Sequence, residues 1–156
     1  MMNKRPSSEW RSFLRKNGIR QTRAREAILS ALSGREDHPS AEEIYHAVHL
    51  GFPNIGLTTV YRTLNILAGC GLVCQYDFGD GRARFELIKK PHGPAHHHHL
   101  VCTGCRRVYD YTDFVEEELE LVGKTEKALS RRYDFEIRDH VIQFYGLCGD
   151  CRRSQD

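Results

Sequence analysis

The sequence predicts an α+β protein with an N-terminal winged helix-turn-helix DNA-binding domain and a small C-terminal α/β dimerisation domain. Helical periodicity in the first half is followed by two β-type segments around Gly-Asp-Gly. The stretch KKPHGP is typical of a linker, and two C-x-x-C pairs lie behind it. The predicted boundaries are 1–88 for the DNA-binding domain, 89–94 for the hinge linker and 95–156 for the metal-binding dimerisation domain.

Four helices are expected before the linker. The segments that carry them are 7–16, 22–33, 41–50 and 59–69. Ser40 is a good N-cap, and Glu43 three residues later completes a capping box for the third helix. Thr58 is expected to cap the fourth helix, whose residues Val60 and Leu64 share one face.

Two strands, Leu72–Phe78 and Arg82–Leu87, are predicted to form a hairpin around Gly-Asp-Gly. Three helices followed by such a two-stranded wing make a winged helix-turn-helix. The helix that follows the turn at 53–57 is where a reader of the DNA major groove would lie.

Behind the linker, the segments 98–102 and 106–111 are predicted strands, and Asp113–Tyr133 is a predicted long helix. Residues 134–147 begin with alternation that predicts a further strand, with Phe135, Ile137 and Val141 on one face. A domain this small is easier to stabilise if it dimerises and binds a metal ion.

Charge is unevenly distributed although the net charge is only +2. Residues 1–35 contain nine Lys and Arg against two acidic residues. This basic segment favours a polyanionic partner such as nucleic acid, and a solvated helix face is the alternative. Because no apolar run reaches the ~18 residues of a membrane span, we expect a soluble cytoplasmic protein without a membrane partner.

The two C-x-x-C pairs predict a structural Zn(II) site. They can supply four thiolates to a tetrahedral centre, and without an export signal metal ligation is favoured over disulfides. The predicted ligands are Cys102, Cys105, Cys148 and Cys151. A redox dithiol, an iron–sulfur cluster and unrelated buried cysteines are the alternatives. Cys70 and Cys74 are assigned no metal.

The run of four histidines at 96–99 can serve two sites if it enters a strand. Successive side chains then point to opposite faces, so that His97 and His99 share one side and His96 and His98 the other. Imidazole with carboxylate suits Fe(II), Mn(II) or Zn(II). The alternative is a polar loop without a ligand. Candidate partners are His38, His46, His49, His140, Glu86, Asp110 and Glu117.

Five sequence stretches together resemble the ferric uptake regulator (Fur) family of bacterial metal-sensing repressors. They are HPSAEEIYHAV, GLTTVYRTLNIL, RARFEL, HHHHLVCTGC and the final C-x-x-C. The resemblance covers about residues 10–151. It implies a homodimer that binds double-stranded DNA at A/T-rich inverted repeats when metal is bound, and it leaves open whether dimers pair into tetramers.

The resemblance implies three metal sites. The regulatory site for Fe(II), with Mn(II) or Zn(II) as surrogates, would comprise His38, Glu86, His97, His99 and Asp110. The second site would comprise His96, His98, Glu117 and His140. The four cysteines would hold the structural Zn(II). The iron-uptake branch commonly has Asp at position 98, which leaves the metal preference of the second site open.

The resemblance also implies the residues that contact DNA. Tyr61 and Arg62 would lie on the recognition helix, with Thr58 and Thr59 at its start. Arg suits guanine edges, and a Tyr ring can touch a thymine methyl group. Arg20 would enter a narrow minor groove, and Arg25 would bind phosphate. The alternatives are core packing for Tyr61 and solvated charges for the two arginines.

A metal ion held by residues from both sides of the linker would restrain the hinge in the form that binds DNA. Glu86 favours the iron branch, because peroxide sensors typically have Asp there and zinc-uptake regulators often use a Cys ligand. Peroxide-sensing and zinc-uptake regulators remain the alternatives on this scaffold. The alternative among enzymes is a zinc-dependent hydrolase. The sequence has no H-E-x-x-H motif, and four cysteine ligands would leave no open coordination position for a substrate, so this alternative is disfavoured.

Overall fold

The structure is a computed structural model that describes residues 8–35, 37–88 and 97–154. The described residues form two compact units, one ending at residue 88 and the other beginning at residue 97. The predicted hinge at 89–94 lies outside the described residues. None of the helices within the described ranges is long and apolar enough to cross a membrane.

The N-terminal unit contains four helices and a hairpin, as the sequence predicts. Its elements are α1 Ser8–Lys16, α2 Arg23–Leu32, α3 Ala41–His49, α4 Leu57–Gly69, β1 Val73–Asp77 and β2 Ala83–Leu87. The strands pair antiparallel, with Val73 opposite Leu87 and Asp77 opposite Ala83. The capping box at Ser40 and Glu43 is present in full, with both reciprocal hydrogen bonds.

One apolar core unites these helices with the hairpin. Val60, Leu64 and Leu67 of α4 are fully buried, as their shared face predicts. They lie in a cluster with residues from every other element of the unit, including Trp10, Ile28, Ile44, Val73 and Phe85. The opposite side of α4 is therefore presented to solvent on a rigid support.

The predicted cap of α4 is wrong. The helix begins at Leu57, and its N-cap is Gly56 in an extended conformation, with no side-chain hydrogen bond. The amides of Thr59 and Val60 bond to the Gly56 carbonyl instead, at 2.9 and 3.2 Å. Thr58 consequently lies in the first turn, where its side chain is exposed.

The C-terminal unit is a three-stranded sheet with one long helix. Its elements are β3 His98–Cys102, β4 Val108–Tyr111, α5 Val115–Tyr133, β5 Gln143–Gly146 and α6 Gly149–Arg153. The strand order is β4-β3-β5. β3 pairs antiparallel with β4 and parallel with β5, so α5 belongs to the crossover between parallel strands.

The predicted strand at 134–147 is mostly wrong. Only Gln143–Gly146 joins the sheet, in a ladder that starts at His99 opposite Gln143. Phe135 and Val141 are 64% and 65% exposed, so their alternation marks apolar surface in an irregular segment. α5 is also covered only at its start within this unit, since Val115 is buried whereas Leu129 and Tyr133 are 42% and 66% exposed.

Candidate metal centres and nucleic-acid interface

The four predicted cysteines converge in the C-terminal unit. Their sulfur atoms all lie within 4.8 Å of one another. Cys102 ends β3, Cys105 lies in the following turn, and Cys148 and Cys151 lie at the start of α6. The Sγ atoms of Cys105 and Cys148 are 3.7 Å apart. Tetrahedral Zn–S bonds of about 2.3 Å place neighbouring sulfurs roughly 3.8 Å apart, so the spacing of Cys105 and Cys148 matches that of Zn(II) ligands.

Two backbone amides stabilise the thiolate form of Cys102. The N–H groups of Cys105 and Cys148 donate to its Sγ atom over 3.5 and 3.3 Å. These two hydrogen bonds lower the pKa of the Cys102 thiol to about 6. A thiolate is the form that binds metal, so the turn geometry itself favours ligation.

Glycine leaves room for close packing at the centre of the first C-x-x-C turn. A Cβ atom at Gly104 would lie 3.0 Å from Sγ of Cys151 and 3.2 Å from Leu147. A larger residue would press on a ligand, so the sequence C-T-G-C lets the two cysteine pairs approach each other closely.

His38 and Glu86 form a pair in the N-terminal unit. His38 Nε2 lies 3.7 Å from Glu86 Oε2, and the His38 side chain is almost fully buried. Its ring makes edge contacts with Tyr76 and Phe78, at centroid distances of 5.6 and 5.2 Å. Burial against aromatic rings fixes the imidazole beside the carboxylate.

Arg84 attaches the segment that carries His38 to the wing. Ser40 bridges Arg84 in the manner of a third strand, and the Phe85 amide donates to the Pro39 carbonyl over 3.0 Å. The Arg84 guanidinium donates to the His38 carbonyl, to Glu43 over 3.1 Å and to Asp80. Arg84 is therefore a positioning residue for His38 and Glu86, the latter two residues further along β2.

Arg84→Ala should destabilise the N-terminal unit and loosen the His38–Glu86 pair. Each lost hydrogen bond between charged groups costs about 1.5–3 kcal/mol. The measurement is urea unfolding followed by fluorescence of Trp10, the single tryptophan, which is buried in this unit. Arg82→Ala, on the exposed turn of the same hairpin, is the matched control. Equal unfolding midpoints for the two variants would contradict this role.

His97, His99 and Asp110 form the corresponding group in the C-terminal unit. His99 lies opposite Asp110 across the β3–β4 ladder, and its Nε2 is 3.7 Å from Asp110 Oδ1. The rings of His97 and His99 have centroids 5.0 Å apart, as their predicted placement on one side requires. His99 is 2% exposed, which again fixes the imidazole in position.

The predicted second site is assembled only in part. His98 is buried and contacts the carboxylate of Glu118, which also accepts a hydrogen bond from Tyr111 Oη over 3.0 Å. His140 Nδ1 lies 3.0 Å from Glu126 Oε1, and the His98 and His140 rings are 6.3 Å apart. Burial and the Glu118 carboxylate raise the pKa of Tyr111 to about 12. His96 lies outside the described residues.

The structure places a different glutamate from the predicted one beside His98. Glu118, not Glu117, contacts His98, and the Glu117 side chain is exposed. The reason is helical phase: Val115 is the buried residue at the start of α5, and the residue three positions later lies on the same face. Glu126, at 3.0 Å from His140, is a further candidate that sequence inspection missed.

The exposed side of α4 presents the predicted DNA-contacting residues. Thr58, Thr59, Tyr61 and Arg62 are all exposed. Tyr61 is 38% exposed, which excludes the core-packing alternative, and its hydroxyl donates to Glu42 Oε1 over 2.6 Å. This hydrogen bond lowers the pKa of Glu42 and raises that of Tyr61. Arg20 is exposed, and Arg25 donates to the Arg20 carbonyl at the start of α2.

Comparison with known proteins identifies the family. The profile of the Ferric uptake regulator family matches residues 16–145. The chain belongs to the ferric uptake regulator family. It is 41% identical over 140 residues to the ferric uptake regulation protein of Bacillus subtilis, covering 88% of this chain and 89% of that protein. It is 33% identical over 139 residues to the peroxide-responsive repressor PerR of Staphylococcus saprophyticus, covering 89% and 86%.

A solved structure supports the same assignment. The ferric uptake regulator of Pseudomonas aeruginosa with manganese has a TM-score of 0.67 and 32% identity, covering 89% of this chain and 97% of that chain. Members of the Fur family are transcriptional regulators that bind metal and DNA, and this member is therefore a regulator and not an enzyme. The α+β architecture expected from the sequence is confirmed.

Two features of this Fur-family chain escaped sequence inspection. Arg84 contacts partners that lie 41 and 46 residues earlier, so no local pattern reveals its role. Arg107 donates from Nε to Cys105 Sγ over 3.3 Å. A basic residue two positions after a predicted thiolate ligand was the available signal for that contact.

Proposed function

We propose that this chain is a metal-dependent transcriptional repressor that binds A/T-rich inverted repeats as a homodimer when Fe(II) occupies a regulatory site. The observation that carries the proposal is the presence of two rigid imidazole–carboxylate groups, one in each unit. His38 with Glu86 offers two ligands, and His97, His99 and Asp110 offer three. Neither group alone fills the coordination sphere of an octahedral Fe(II) or Mn(II) ion, whereas both together nearly do.

The ion would supply charge that holds the two groups together. Borderline nitrogen ligands with carboxylates suit Fe(II) and Mn(II), and the ring positions are fixed by burial before metal arrives. Because the groups belong to different units, ligation restricts how the DNA-binding unit moves. By linkage, DNA binding then strengthens metal binding by the same factor by which metal strengthens DNA binding.

The four cysteines are proposed to hold a structural Zn(II), and His98, Glu118 and His140 a second ion. The sulfur spacing supports the former, as derived above. The latter rests on the buried His98–Glu118 contact, with Glu126 as an additional candidate ligand through its contact with His140.

Homodimerisation is supported by an exposed apolar row across the C-terminal sheet. Tyr109, Leu100 and Phe144 lie side by side on three neighbouring strands. They are 39%, 44% and 52% exposed in the single chain. A second copy of this sheet would remove the row from water, and two copies would present two recognition helices to the half-sites of an inverted repeat.

Peroxide sensing is the second candidate function. Asp110 stands 3.7 Å from His99, which gives an oxygen-rich ligand set if Asp110 binds the ion. The 33% identity to a peroxide-responsive repressor supports the same candidate.

Zinc sensing is favoured by Cys74, which lies directly opposite Glu86 on the wing and could provide a soft ligand.

The deciding experiment is fluorescence anisotropy on a labelled A/T-rich inverted repeat, without oxygen, with zinc retained in the four-cysteine site. Fe(II) or Mn(II) should strengthen DNA binding by roughly 5–150-fold, the usual range of allosteric coupling. A shuffled repeat of equal length is the control. Activation by Zn(II) alone would instead assign zinc sensing, and loss of binding after a peroxide pulse on the Fe(II) form would assign peroxide sensing. No response to any metal on several repeats would refute regulation by metal.

A further inference from the structure

Arg107 contacts the four-cysteine cluster although it is not one of the proposed zinc ligands. Its Nε donates to Cys105 Sγ over 3.3 Å, and its Nη2 lies 3.8 Å from Cys148 Sγ. One guanidinium thus faces a sulfur from each C-x-x-C pair. The remaining contact of Nη2 is with Asp150 Oδ2, over 2.7 Å.

The backbone holds Arg107 in this position. Arg106 adopts a left-handed conformation with φ 63°, which turns the chain back toward β3. The Arg107 carbonyl then accepts a hydrogen bond from the Cys102 amide over 2.9 Å. Residue 107 is therefore fixed to the strand that ends in the first cysteine, and its planar fork can span two sulfurs and a carboxylate at once.

The chemical consequence follows from charge. Four thiolates around Zn(II) carry a net charge of −2, and the sulfurs remain nucleophilic because their lone pairs are electron-rich. A guanidinium that donates hydrogen bonds to two of them compensates part of that charge and withdraws electron density from those sulfurs.

We propose that Arg107 is a positioning and protecting residue that slows attack by electrophiles on Cys105 and Cys148 and so retains the structural zinc. The inference rests on the proposed zinc site, whose existence is measured separately as the zinc content of the purified parent. It adds to that site a residue outside the ligand set, with a defined chemical role.

Asp150 and Arg153 provide matched variants. Arg153 donates to Asp150 Oδ1 over 2.7 Å, so Arg153→Ala removes a cation that pairs with the same carboxylate as Arg107. Asp150→Asn weakens the tie between Arg107 and α6 by removing the carboxylate charge, and it leaves the contact of Arg107 with Cys105. If Arg107 acts by compensating negative charge on the sulfurs, only the Arg107 variants should react faster with electrophiles. If it acts as a structural tie to α6, Asp150→Asn should react faster too.

The test is zinc release from the full-length protein under excess iodoacetamide, followed with a chromogenic zinc indicator. Alkylation forms a sulfur–carbon bond and expels iodide, and the resulting neutral thioether no longer holds zinc. Arg107→Ala should accelerate release on the order of tenfold, the range by which outer partners of metal ligands act. Arg153→Ala and Asp150→Asn should stay near the parent rate.

Mass spectrometry of early time points supplies a second readout that a purely structural role would not change. In Arg107→Ala the first modified ligands should be Cys105 and Cys148, ahead of Cys102 and Cys151. Equal release rates for Arg107→Ala and Arg153→Ala, or an unchanged order of modification, would overturn the proposal. Should Arg107→Ala fail to retain zinc on purification, the uncharged Arg107→Gln carries the test, and a release rate equal to that of the parent would overturn the proposal.

Discussion

Replacing His99 by alanine is expected to abolish the metal response of DNA binding while leaving the fold intact. His99 is 2% exposed and combines contacts to Asp110 and His97, so it is the central residue of the proposed C-terminal ligand group. Loss of a direct ligand should weaken Fe(II) or Mn(II) binding by at least on the order of 100-fold, since even outer partners account for 10–100-fold. Anisotropy on the inverted repeat, titrated with Mn(II), measures the effect.

The control for this variant is His49→Ala. His49 is an exposed histidine at the end of α3 and belongs to none of the proposed metal sites. It should respond to Mn(II) as the parent does. Zinc content and Trp10 fluorescence then establish that His99→Ala keeps its structural zinc and its N-terminal core. A His99→Ala protein that still gains DNA affinity with Mn(II) at the parent's concentration would refute the assignment.

A double-mutant cycle tests whether one ion joins the two units. His38→Ala removes a ligand from the N-terminal group, and His99→Ala removes one from the C-terminal group. If both histidines bind the same ion, the losses in Mn(II) affinity should be strongly non-additive. If each unit binds its own ion, the two losses should add within about 0.3–0.5 kcal/mol, and the proposed regulatory site would have to be divided.

Sequence patterns predicted the fold best where the structure depends on interactions between residues that are close in sequence. The capping box at Ser40 and Glu43 depends on residues three positions apart, and it is present in full. The hairpin around Gly-Asp-Gly requires left-handed conformations, and Gly79 and Gly81 both adopt them. Within each C-x-x-C pair a short turn or a helix start brings the two cysteines together, whereas the two pairs meet because β3 and β5 are neighbours in the sheet.

Prediction failed where a choice depends on the phase of an element or on distant partners. Residues 116–118 are three consecutive glutamates, and only the burial of Val115 selects Glu118 as the one that reaches His98. The alternation at Phe135 and Val141 predicted a strand. In the structure, however, this segment pairs with β3 only from Gln143 onward, and both side chains are exposed. The partners of Arg84 are set by packing of the wing on α3, which no sequence period encodes.

Cys148→Ser is expected to unfold the C-terminal unit selectively. Among the described residues, the buried apolar side chains of this unit are Val101, Cys102 and Val115, whereas the N-terminal unit buries a large cluster. A core of that size cannot offset the conformational entropy of the unit, so the proposed zinc ion and the proposed partner subunit would supply most of the stability. Structural zinc sites contribute about 10–16 kcal/mol of apparent binding free energy in small peptides.

Two readouts separate the units in this experiment. Zinc analysis and sedimentation should show that Cys148→Ser has lost its zinc and its dimer. Urea unfolding followed through Trp10, which is buried in the N-terminal unit, should keep a transition near that of the parent, because the N-terminal core lies entirely within residues 8–88. Cys70→Ser changes a cysteine outside the cluster and should retain zinc and the dimer.

The outcome also decides how the two units depend on each other. If the N-terminal unit unfolds together with the zinc-free C-terminal unit, the units form one cooperative block and the proposed hinge mechanism loses its basis. If Trp10 reports an unchanged transition while DNA affinity falls, the recognition helix is intact and the defect lies in assembly. The latter result is expected, because monomers would each contact a single half-site and lose the gain in affinity from binding two linked sites.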